Sequence, residues 1–315
     1  MPEVTHSAFK IPSPLQEIAH PLFNEKGISL FVKRDDLIHP EISGNKWRKL
    51  KYNIAVAQHK GVDTVLTYGG AHSNHIAATA AAAELYGMKS IGIIRALDAD
   101  INNPTLSYAR SAGMHIHRVS REEFKNIDSL DYLESMKSMF GAFYNIPQGG
   151  ANYYGIQGCM EIMGEIKIKA QRIFIGCGTG TTLSGLAIAN PGMDLYGVSA
   201  LKGGGFLRGE VERKIDSVYK DTETTTSQME RVHIITDAHF GGYAKIKPEL
   251  VSFIRNFYAE TGIKLDPVYT GKAAFAMAEV AKKKSDTHAE AWILIHTGGL
   301  QGIPAMERKM GSTFF

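Results

Sequence analysis

The chain has 315 residues, of which 44% are hydrophobic and 21% are charged, and its formal net charge is +3. This composition is typical of a globular protein with one large or two smaller domains, and it excludes extensive disorder. The small net charge predicts neither a nucleic acid nor a membrane surface as a partner. Two cysteines are too few for a disulfide framework, and residues 1–14 lack the apolar core of a secretory signal, so we expect a cytoplasmic protein.

Short β-branched segments alternate with helical patterns along most of the chain. This alternation predicts βαβ units, and therefore an α/β fold with mostly parallel sheets and helices on both faces. Residues 221–228 are polar and rich in threonine, and we interpret them as a loop. In chain order the predicted strands cover residues 29–33, 63–67, 89–95, 115–119, 172–175, 195–199, 232–236 and 291–296, and the predicted helices cover residues 45–60, 74–86, 104–112, 153–170, 182–189, 248–261 and 271–284.

This order of elements predicts two domains. Residues 47–154 form a self-contained βα series, which we expect to be a smaller α/β domain. Residues 1–46 together with residues 155–315 would form a larger one. Because open sheets bind small molecules at the carboxyl ends of their strands, we expect a ligand in the cleft between the two domains.

Lys46 lies where an irregular, proline-containing segment gives way to a helical pattern. Lys46 and Lys49 are three residues apart and therefore share one face of a helix. Burial or a neighbouring cation would favour a deprotonated amine that condenses with an aldehyde cofactor, while the other lysine holds an anionic group. The alternative is that both belong to a solvated helix face with Arg48 and Lys51.

A glycine-rich turn, residues 176–182, joins an apolar strand to a predicted helix. Such a junction offers backbone N–H groups and the positive end of the helix dipole to an anion; the alternative is an ordinary turn. The turn lacks the lysine of a triphosphate loop and the spacing of a dinucleotide loop, which favours a single phosphate over a nicotinamide cofactor. The residues that would contact the phosphate, named here the threonine loop, are Gly178, Thr179, Gly180, Thr181 and Thr182.

Three further positions carry candidate chemistry. Ser73 and Asn74 stand at the entrance of a predicted helix. Asn74 either caps that helix or hydrogen-bonds a ring oxygen of a cofactor, with Ser73 facing the reacting carbon. Tyr269 precedes another predicted helix and is either catalytic or a buried core residue. Thr297 follows the last predicted strand, where parallel sheets place functional groups, and is suited to contact a cofactor ring.

A metal site is not predicted. His72 and His75, and likewise His115 and His117, have spacings that could share a metal ion, but neither pair has a third ligand or a CxxC pair beside it. We interpret Cys177, inside the glycine-rich turn, as a small loop residue rather than a nucleophile.

Several of these segments, in this order, resemble one family. They are SGNKWRK at 43–49, SNH at 73–75, the threonine loop, DPVYTGK at 266–272 and HTGG at 296–299. They are similar to the pyridoxal-phosphate enzymes grouped as 1-aminocyclopropane-1-carboxylate deaminase and D-cysteine desulfhydrase. The resemblance implies the two-domain, tryptophan-synthase-β-like fold (fold type II) with pyridoxal 5′-phosphate between the domains. It also implies a cytoplasmic homodimer that acts on a small amino acid.

The resemblance implies roles for individual residues at the cofactor. Lys46 would be the Schiff-base lysine, and Lys49 and the threonine loop would hold the phosphate. Asn74 would contact the ring hydroxyl oxygen, and Thr297 the pyridine nitrogen.

It also implies roles at the substrate. Ser73 and Tyr269 would be the acid–base or nucleophilic pair, and Tyr243 would be a second active-site tyrosine. The positions after these motifs, Thr270 and His75, resemble the desulfhydrase branch, because the ring-opening deaminases carry glutamate and glutamine there.

Three hypotheses follow. The first is β-elimination from D-cysteine, giving a 2-oxo acid, ammonia and sulfide, because a neutral Thr297 makes a weaker electron sink that still suffices to expel thiolate. The second is deamination of 1-aminocyclopropane-1-carboxylate. The third is non-catalytic binding of pyridoxal phosphate or an amino acid. Ala77 and Ala78 replace the arginine and glutamine usual in the family, which leaves the substrate open.

Overall fold

The computed structural model describes residues 7–98 and 100–315. Strands and helices alternate along it, and the predicted α/β class with mostly parallel sheets is confirmed. The strands are β1 (Leu15–Ile18), β2 (Ile28–Lys33), β3 (Thr64–Gly70), β4 (Lys89–Arg95), β5 (Met114–Val119), β6 (Tyr144–Ile146), β7 (Arg172–Cys177), β8 (Asp194–Ser199), β9 (Val232–Ile235) and β10 (Glu290–Ile295). The helices are α1 (Pro21–Glu25), α2 (Asn45–His59), α3 (Asn74–Leu85), α4 (Pro104–Ser111), α5 (Leu130–Phe140), α6 (Tyr153–Glu165), α7 (Thr181–Ile188), α8 (Phe206–Tyr219), α9 (Thr222–Met229), α10 (Pro248–Thr261), α11 (Thr270–Lys282) and α12 (Ile303–Met310).

The chain divides into two compact units. The small unit contains Lys46–Gly158, and the large unit contains Ala8–Asn45 together with Cys159–Phe315. The chain therefore passes between the units at the first turn of α2 and again within α6. Lys46 is the first residue of the small unit on this passage, and Asn45 is the last residue of the large one.

The small unit is built on a parallel sheet with the strand order β5-β4-β3-β6. Side chains alternate between the two faces of a strand, so Ile93 and Ile94 enter different cores. Ile94 packs with Ile76 of α3 and Leu106 of α4, and Ile93 packs with Phe124 and its neighbours on the opposite face. With both faces covered, only the strand ends and loops of this sheet remain for a ligand.

The large unit contains a six-stranded sheet with the order β1-β2-β10-β7-β8-β9. All neighbours pair in parallel except the edge strand β1, which runs antiparallel to β2. Its core includes Phe174 of β7 and Trp292 of β10, whose ring centroids lie 5.4 Å apart. Within residues 7–98 and 100–315, no helix combines the length and apolar character needed to cross a membrane.

Two predicted elements were wrong. Residues 221–228, predicted as a loop, form α9: Asp221 caps the helix by accepting a hydrogen bond from the Thr224 amide at 3.0 Å, and Met229 is buried. The predicted helix 153–170 ends at Glu165, whose carboxylate accepts a hydrogen bond from Lys33 Nζ at 2.5 Å. The sequence also left β1, α1, α5, β6, α8 and α12 unassigned.

Candidate active site

Asn45, the residue that precedes Lys46, is fixed by two parts of the large unit. Its side-chain amide donates to the hydroxyl of Thr182 in the threonine loop at 2.9 Å, and its backbone N–H donates to the Thr297 carbonyl at 3.4 Å. Asn45 is buried, so water competes little for these bonds. Asn45 therefore links the threonine loop to the turn after β10 within the large unit.

Gly44 permits this arrangement. Its φ is +66°, and a Cβ placed on it would lie 1.9 Å from the carbonyl oxygen of Thr297. Any side chain would push the segment before Lys46 away from the turn after β10.

We expect Gly44→Ala to lower the free energy of unfolding by about 3 kcal/mol, because it combines left-handed strain with a backbone clash. Gly61 is a matched control, since its φ is also +66° but nothing lies within 4 Å of its Cβ position. Gly61→Ala should cost about 1 kcal/mol. Urea denaturation of both variants checks this, and equal losses would show that the close approach contributes nothing.

In the small unit, His75 is a buried neutral imidazole. The Thr67 hydroxyl donates to the Ile146 carbonyl at 2.9 Å, so its oxygen accepts from His75 Nε2 at 3.0 Å. Nε2 thus carries the ring hydrogen, and Nδ1 is a buried lone pair with no hydrogen-bond partner among the described residues. Burial, followed by the charges of Lys46 and Lys49, holds the pKa of His75 well below its ordinary 6.5.

The charges of both candidate lysines therefore act on one imidazole. Lys46 is half-buried and Lys49 is buried, and both charges act on His75. A Cβ on Gly150 would lie 2.9 Å from Lys49 Cβ and 3.4 Å from His75 Cε1, so Lys49 and His75 pack against the same glycine. The alternative of a solvated helix face is wrong for Arg48 and Lys49, which are 0% and 4% exposed.

Because of this environment, we expect His75 to make the free energy of unfolding decrease at acidic pH. Its pKa is depressed in the folded state, so as the pH falls below 6.5 the unfolded chain binds the proton first and unfolding is favoured. The stabilising effect is present above pH 6.5 and is lost below it, with a slope of up to about 1.4 kcal/mol per pH unit.

His75→Gln should remove this slope, whereas His72→Gln, at an exposed position on the same turn, should retain it. Urea denaturation between pH 5 and pH 8, with cofactor in equal excess, measures the difference. Identical pH dependence in wild type and His75→Gln would contradict the assignment.

Ser73 and Asn74 lie at the start of α3, directly before His75. Ser73 caps the helix, because its Oγ accepts hydrogen bonds from the His75 amide at 3.2 Å and the Ile76 amide at 3.4 Å. The interpretation of Asn74 as the cap is therefore wrong. The cap uses only a lone pair of the Ser73 hydroxyl, which leaves its O–H able to donate. The side-chain amide of Asn74 makes no hydrogen bond within the described residues.

The threonine loop of the large unit connects β7 to α7. Gly180, with φ of +74°, precedes the first residue of α7 and supplies no side-chain cap, so the first N–H groups of the helix are open to a ligand. Thr181 and Thr182 are buried, and the Thr179 and Thr181 hydroxyls are 2.8 Å apart. Residues 176–182 contain no carboxylate that would repel an anion.

Tyr269 is held over this loop. A Cβ on Gly178 would lie 3.2 Å from the Tyr269 hydroxyl, and one on Gly176 would lie 2.7 Å from the Tyr269 carbonyl oxygen. The Asp266 carboxylate fixes the tyrosine by accepting hydrogen bonds from the backbone amides of Val268, Tyr269 and Thr270, each at 2.9 Å.

Tyr243 meets Tyr269 edge-on, with ring centroids 6.2 Å apart. Burial is the main reason that the pKa of Tyr269 lies well above its ordinary 10, and the neighbouring Tyr243, which also hydrogen-bonds it, adds to the shift. The Tyr269 phenol therefore stays protonated and can donate a hydrogen. Tyr243 itself is 44% exposed.

Thr297 lies in the turn after β10. It is 7% exposed, and its hydroxyl makes no hydrogen bond among residues 7–98 and 100–315, which leaves it available to a ligand. In the large unit the predicted residues are therefore brought together, with Tyr269 and Tyr243 against the threonine loop and Thr297 linked to that loop through Asn45.

These residues fit pyridoxal phosphate. The open helix start and threonine hydroxyls suit a phosphate, and the half-buried Lys46 amine suits an aldehyde. Groups of three or more metal-binding side chains do not occur in the described part of the chain. Sequence reasoning missed Asn45 and Asp266 as functional residues, although the signal for Asp266, an Asp-Pro before a helix start, was in the quoted motif. It named His75 as a branch marker and a possible metal ligand but not as a buried neutral imidazole.

Comparisons with known proteins agree with this chemistry. A family model described as "Pyridoxal-phosphate dependent enzyme" matches residues 7–298. A putative 1-aminocyclopropane-1-carboxylate deaminase of Pyrococcus horikoshii is 32% identical over 300 residues, which cover 92% of this chain and 90% of that protein. A mitochondrial bifunctional D-cysteine desulfhydrase/1-aminocyclopropane-1-carboxylate deaminase of Arabidopsis thaliana is 31% identical, covering 99% of this chain and 82% of its own.

A solved structure gives the same result. The crystal structure of an ACC deaminase homologue superposes with a TM-score of 0.80 at 28% identity, covering 96% of this chain and 94% of that one. The predicted fold type II and the resemblance drawn from the motifs are confirmed. The chain belongs to the pyridoxal-phosphate-dependent enzymes, in the family of 1-aminocyclopropane-1-carboxylate deaminase and D-cysteine desulfhydrase.

Proposed function

We propose that this protein is a lyase that releases a 2-oxo acid and ammonia from a small amino acid, with D-cysteine as the preferred substrate and sulfide as the leaving group. Lys46 bonds the cofactor's aldehyde, and Lys49 and the threonine loop hold its phosphate. Asn74 contacts the ring oxygen and Thr297 the ring nitrogen. When bound, the cofactor withdraws electrons from the α-carbon of the amino acid.

The proton-handling groups of the chain divide into one base and two donors. The half-buried Lys46 amine is the base that takes the α-proton. The Ser73 O–H remains free to donate because the helix cap uses only its lone pair. The Tyr269 phenol, whose raised pKa keeps it protonated, donates to the departing group.

One observation carries the choice of a thiol leaving group: the side chains at 297 and 270 are both neutral hydroxyls. Thr297 has a free hydroxyl, and Thr270 is buried with its hydroxyl donating to Asp266 Oδ1 at 2.7 Å. A neutral partner does not favour a protonated pyridine nitrogen, so electron withdrawal is moderate. Moderate withdrawal suffices to expel thiolate and supports cyclopropane opening less well.

Deamination of 1-aminocyclopropane-1-carboxylate is the second candidate. The names of the relatives from Pyrococcus horikoshii and Arabidopsis thaliana favour it. The two tyrosines that meet edge-on at the threonine loop also provide the donor that ring opening requires.

A substrate panel tests the proposal. Purified protein loaded with pyridoxal phosphate is given D-cysteine, L-cysteine, D- and L-serine, and 1-aminocyclopropane-1-carboxylate, and pyruvate, 2-oxobutyrate and sulfide are measured. We expect pyruvate and sulfide from D-cysteine at the highest kcat/KM. 2-Oxobutyrate as the main product would establish the deaminase instead. Bound cofactor without turnover of any member would indicate a non-catalytic binding protein.

The family resemblance also supports a homodimer located in the cytoplasm, and two folding domains at residues 47–154 and at 1–46 with 155–315. Light scattering should give twice the chain mass. Limited proteolysis should cut near the proposed boundaries before it cuts within either domain.

A further inference from the structure

Lys272 of α11 is a fully buried lysine whose ammonium donates hydrogen bonds to three backbone carbonyls. Its Nζ donates to the carbonyl oxygens of His239 and Gly242, each at 2.8 Å, and to that of Ala200 at 3.3 Å. An ammonium has three N–H donors, so all of them are used. Among the described residues, Lys272 has no carboxylate within ion-pair distance.

The three carbonyls belong to two segments of the large unit. Ala200 directly follows β8, and His239 and Gly242 lie in the loop that leads to Tyr243. Lys272 itself stands three residues after Tyr269, in the first turn of α11. One side chain thus joins the helix start that positions Tyr269 to the loop that carries Tyr243.

The backbone of that loop has conformations that are unfavourable for an isolated segment. Phe240, Gly241, Gly242 and Ala244 have φ values of 53°, 99°, 122° and 51°. The left-handed region is uncommon for residues with a Cβ and costs on the order of 1–3 kcal/mol each, so tertiary contacts must maintain it. The Lys272 ammonium supplies two such contacts, one to the carbonyl before Phe240 and one to the carbonyl after Gly241.

Burying the charged ammonium of Lys272 at this position costs free energy. Burial lowers the pKa of Lys272 from 10.5 to about 8, and the more distant Asp266 carboxylate offsets only part of that shift. An apolar side chain would fill the core of α11 without this cost. The charged ammonium of Lys272 satisfies three converging carbonyl groups at once, which an apolar side chain could not do. This indicates that Lys272 serves to hold the loop in its conformation.

We propose that Lys272 is a positioning residue that sets the geometry of Tyr243 against Tyr269 by clamping the 239–242 loop to α11. The catalytic consequence rests on the proposed function, in which Tyr269 donates a proton at the substrate. The structural consequence, an ordered loop, does not.

The test compares Lys272→Met with Lys284→Met in the cofactor-loaded protein. Lys284 is a control, because it is also buried and donates to the carbonyls of Asp286 and His288, each at 2.9 Å. Unlike Lys272 it also pairs with the Asp286 carboxylate at 2.5 Å, and it makes no hydrogen bond to the 239–242 loop. We expect amide hydrogen exchange in residues 239–246 to be at least about 10-fold faster in Lys272→Met, and unchanged in Lys284→Met.

Kinetics give the second measurement. We expect kcat of Lys272→Met to fall on the order of 10²-fold with KM changed less than about 3-fold, because donor placement is altered rather than substrate binding. Lys284→Met should keep the wild-type kcat. The visible spectrum of the bound cofactor should keep its wild-type position in both variants, since Lys46 is untouched.

Wild-type exchange in the loop of Lys272→Met would overturn the proposal, as would equal kcat losses in the two variants. If Lys272→Met does not fold, Lys272→Gln, which keeps amide donors, should fold and show intermediate exchange; wild-type exchange there also overturns the proposal. If no amino acid is turned over, the proposed function fails, while the exchange measurement still decides the role of Lys272.

Discussion

Lys46→Ala is expected to abolish both the covalent bond to the cofactor and turnover, with kcat/KM reduced on the order of 10⁴-fold or more. The half-buried Lys46 is the amine that follows the anchored Asn45, and it is also the proposed base. Its removal therefore takes away two functions at once. The absorption of bound cofactor in the visible range, and 2-oxo acid release from the best substrate of the panel, measure the two losses separately.

Lys51→Ala is the matched control, because Lys51 lies on the same helix with its Nζ 5.0 Å from the Tyr52 ring centroid. It should retain the wild-type spectrum and activity. A Lys46→Ala protein that keeps the cofactor band and at least a tenth of the activity would contradict the assignment of this lysine.

Tyr269→Phe is expected to lower kcat on the order of 10²–10³-fold with little change in folding stability. The phenol of the wild type stays protonated because burial raises the pKa of Tyr269, so the variant loses a proton donor and not a base. The Asp266 carboxylate holds the turn before α11 through backbone amides and does not use the Tyr269 hydroxyl. Steady-state kinetics and thermal unfolding, run together, separate the two effects.

Two comparisons sharpen this test. Tyr243→Phe removes the hydrogen-bond partner and leaves the donor in place, so it should cost less than Tyr269→Phe. Tyr258→Phe, on α10 beside Phe315, should leave kcat unchanged. A Tyr269→Phe enzyme with wild-type kcat would show that the proton comes from elsewhere.

One helix with strong local signals was predicted at its observed bounds. The helix at Pro248–Thr261 starts with proline in its first turn and ends at Gly262, whose φ is +70°, and both residues are visible in the sequence. By contrast, α9 is rich in threonine, a weak helix former, and it is helical because Asp221 caps it and its buried Met229 packs. Packing partners far along the chain are not visible to local patterns.

In the candidate site, too, some features have local sequence signals and others depend on distant contacts. The motifs predicted the lysine, the threonine loop and Tyr269 from residue type and position alone. The cap formed by Ser73 instead of Asn74, the neutral state of His75 and the role of Lys272 depend on contacts with Thr67, Gly150 or the 239–242 loop. Such contacts between distant parts of the chain have no sequence signature. The individual site roles stay predictions for mutagenesis to test.

Borohydride reduction of the cofactor-loaded wild-type protein, followed by peptide mass mapping, tests the proposed attachment most directly. The reductant makes the lysine–cofactor bond permanent, so the labelled residue can be identified. We predict a single label on Lys46, with none on Lys49, although the charges of both lysines act on His75. A label on Lys49 or another lysine, or no label in protein that binds the cofactor, would contradict the proposed site.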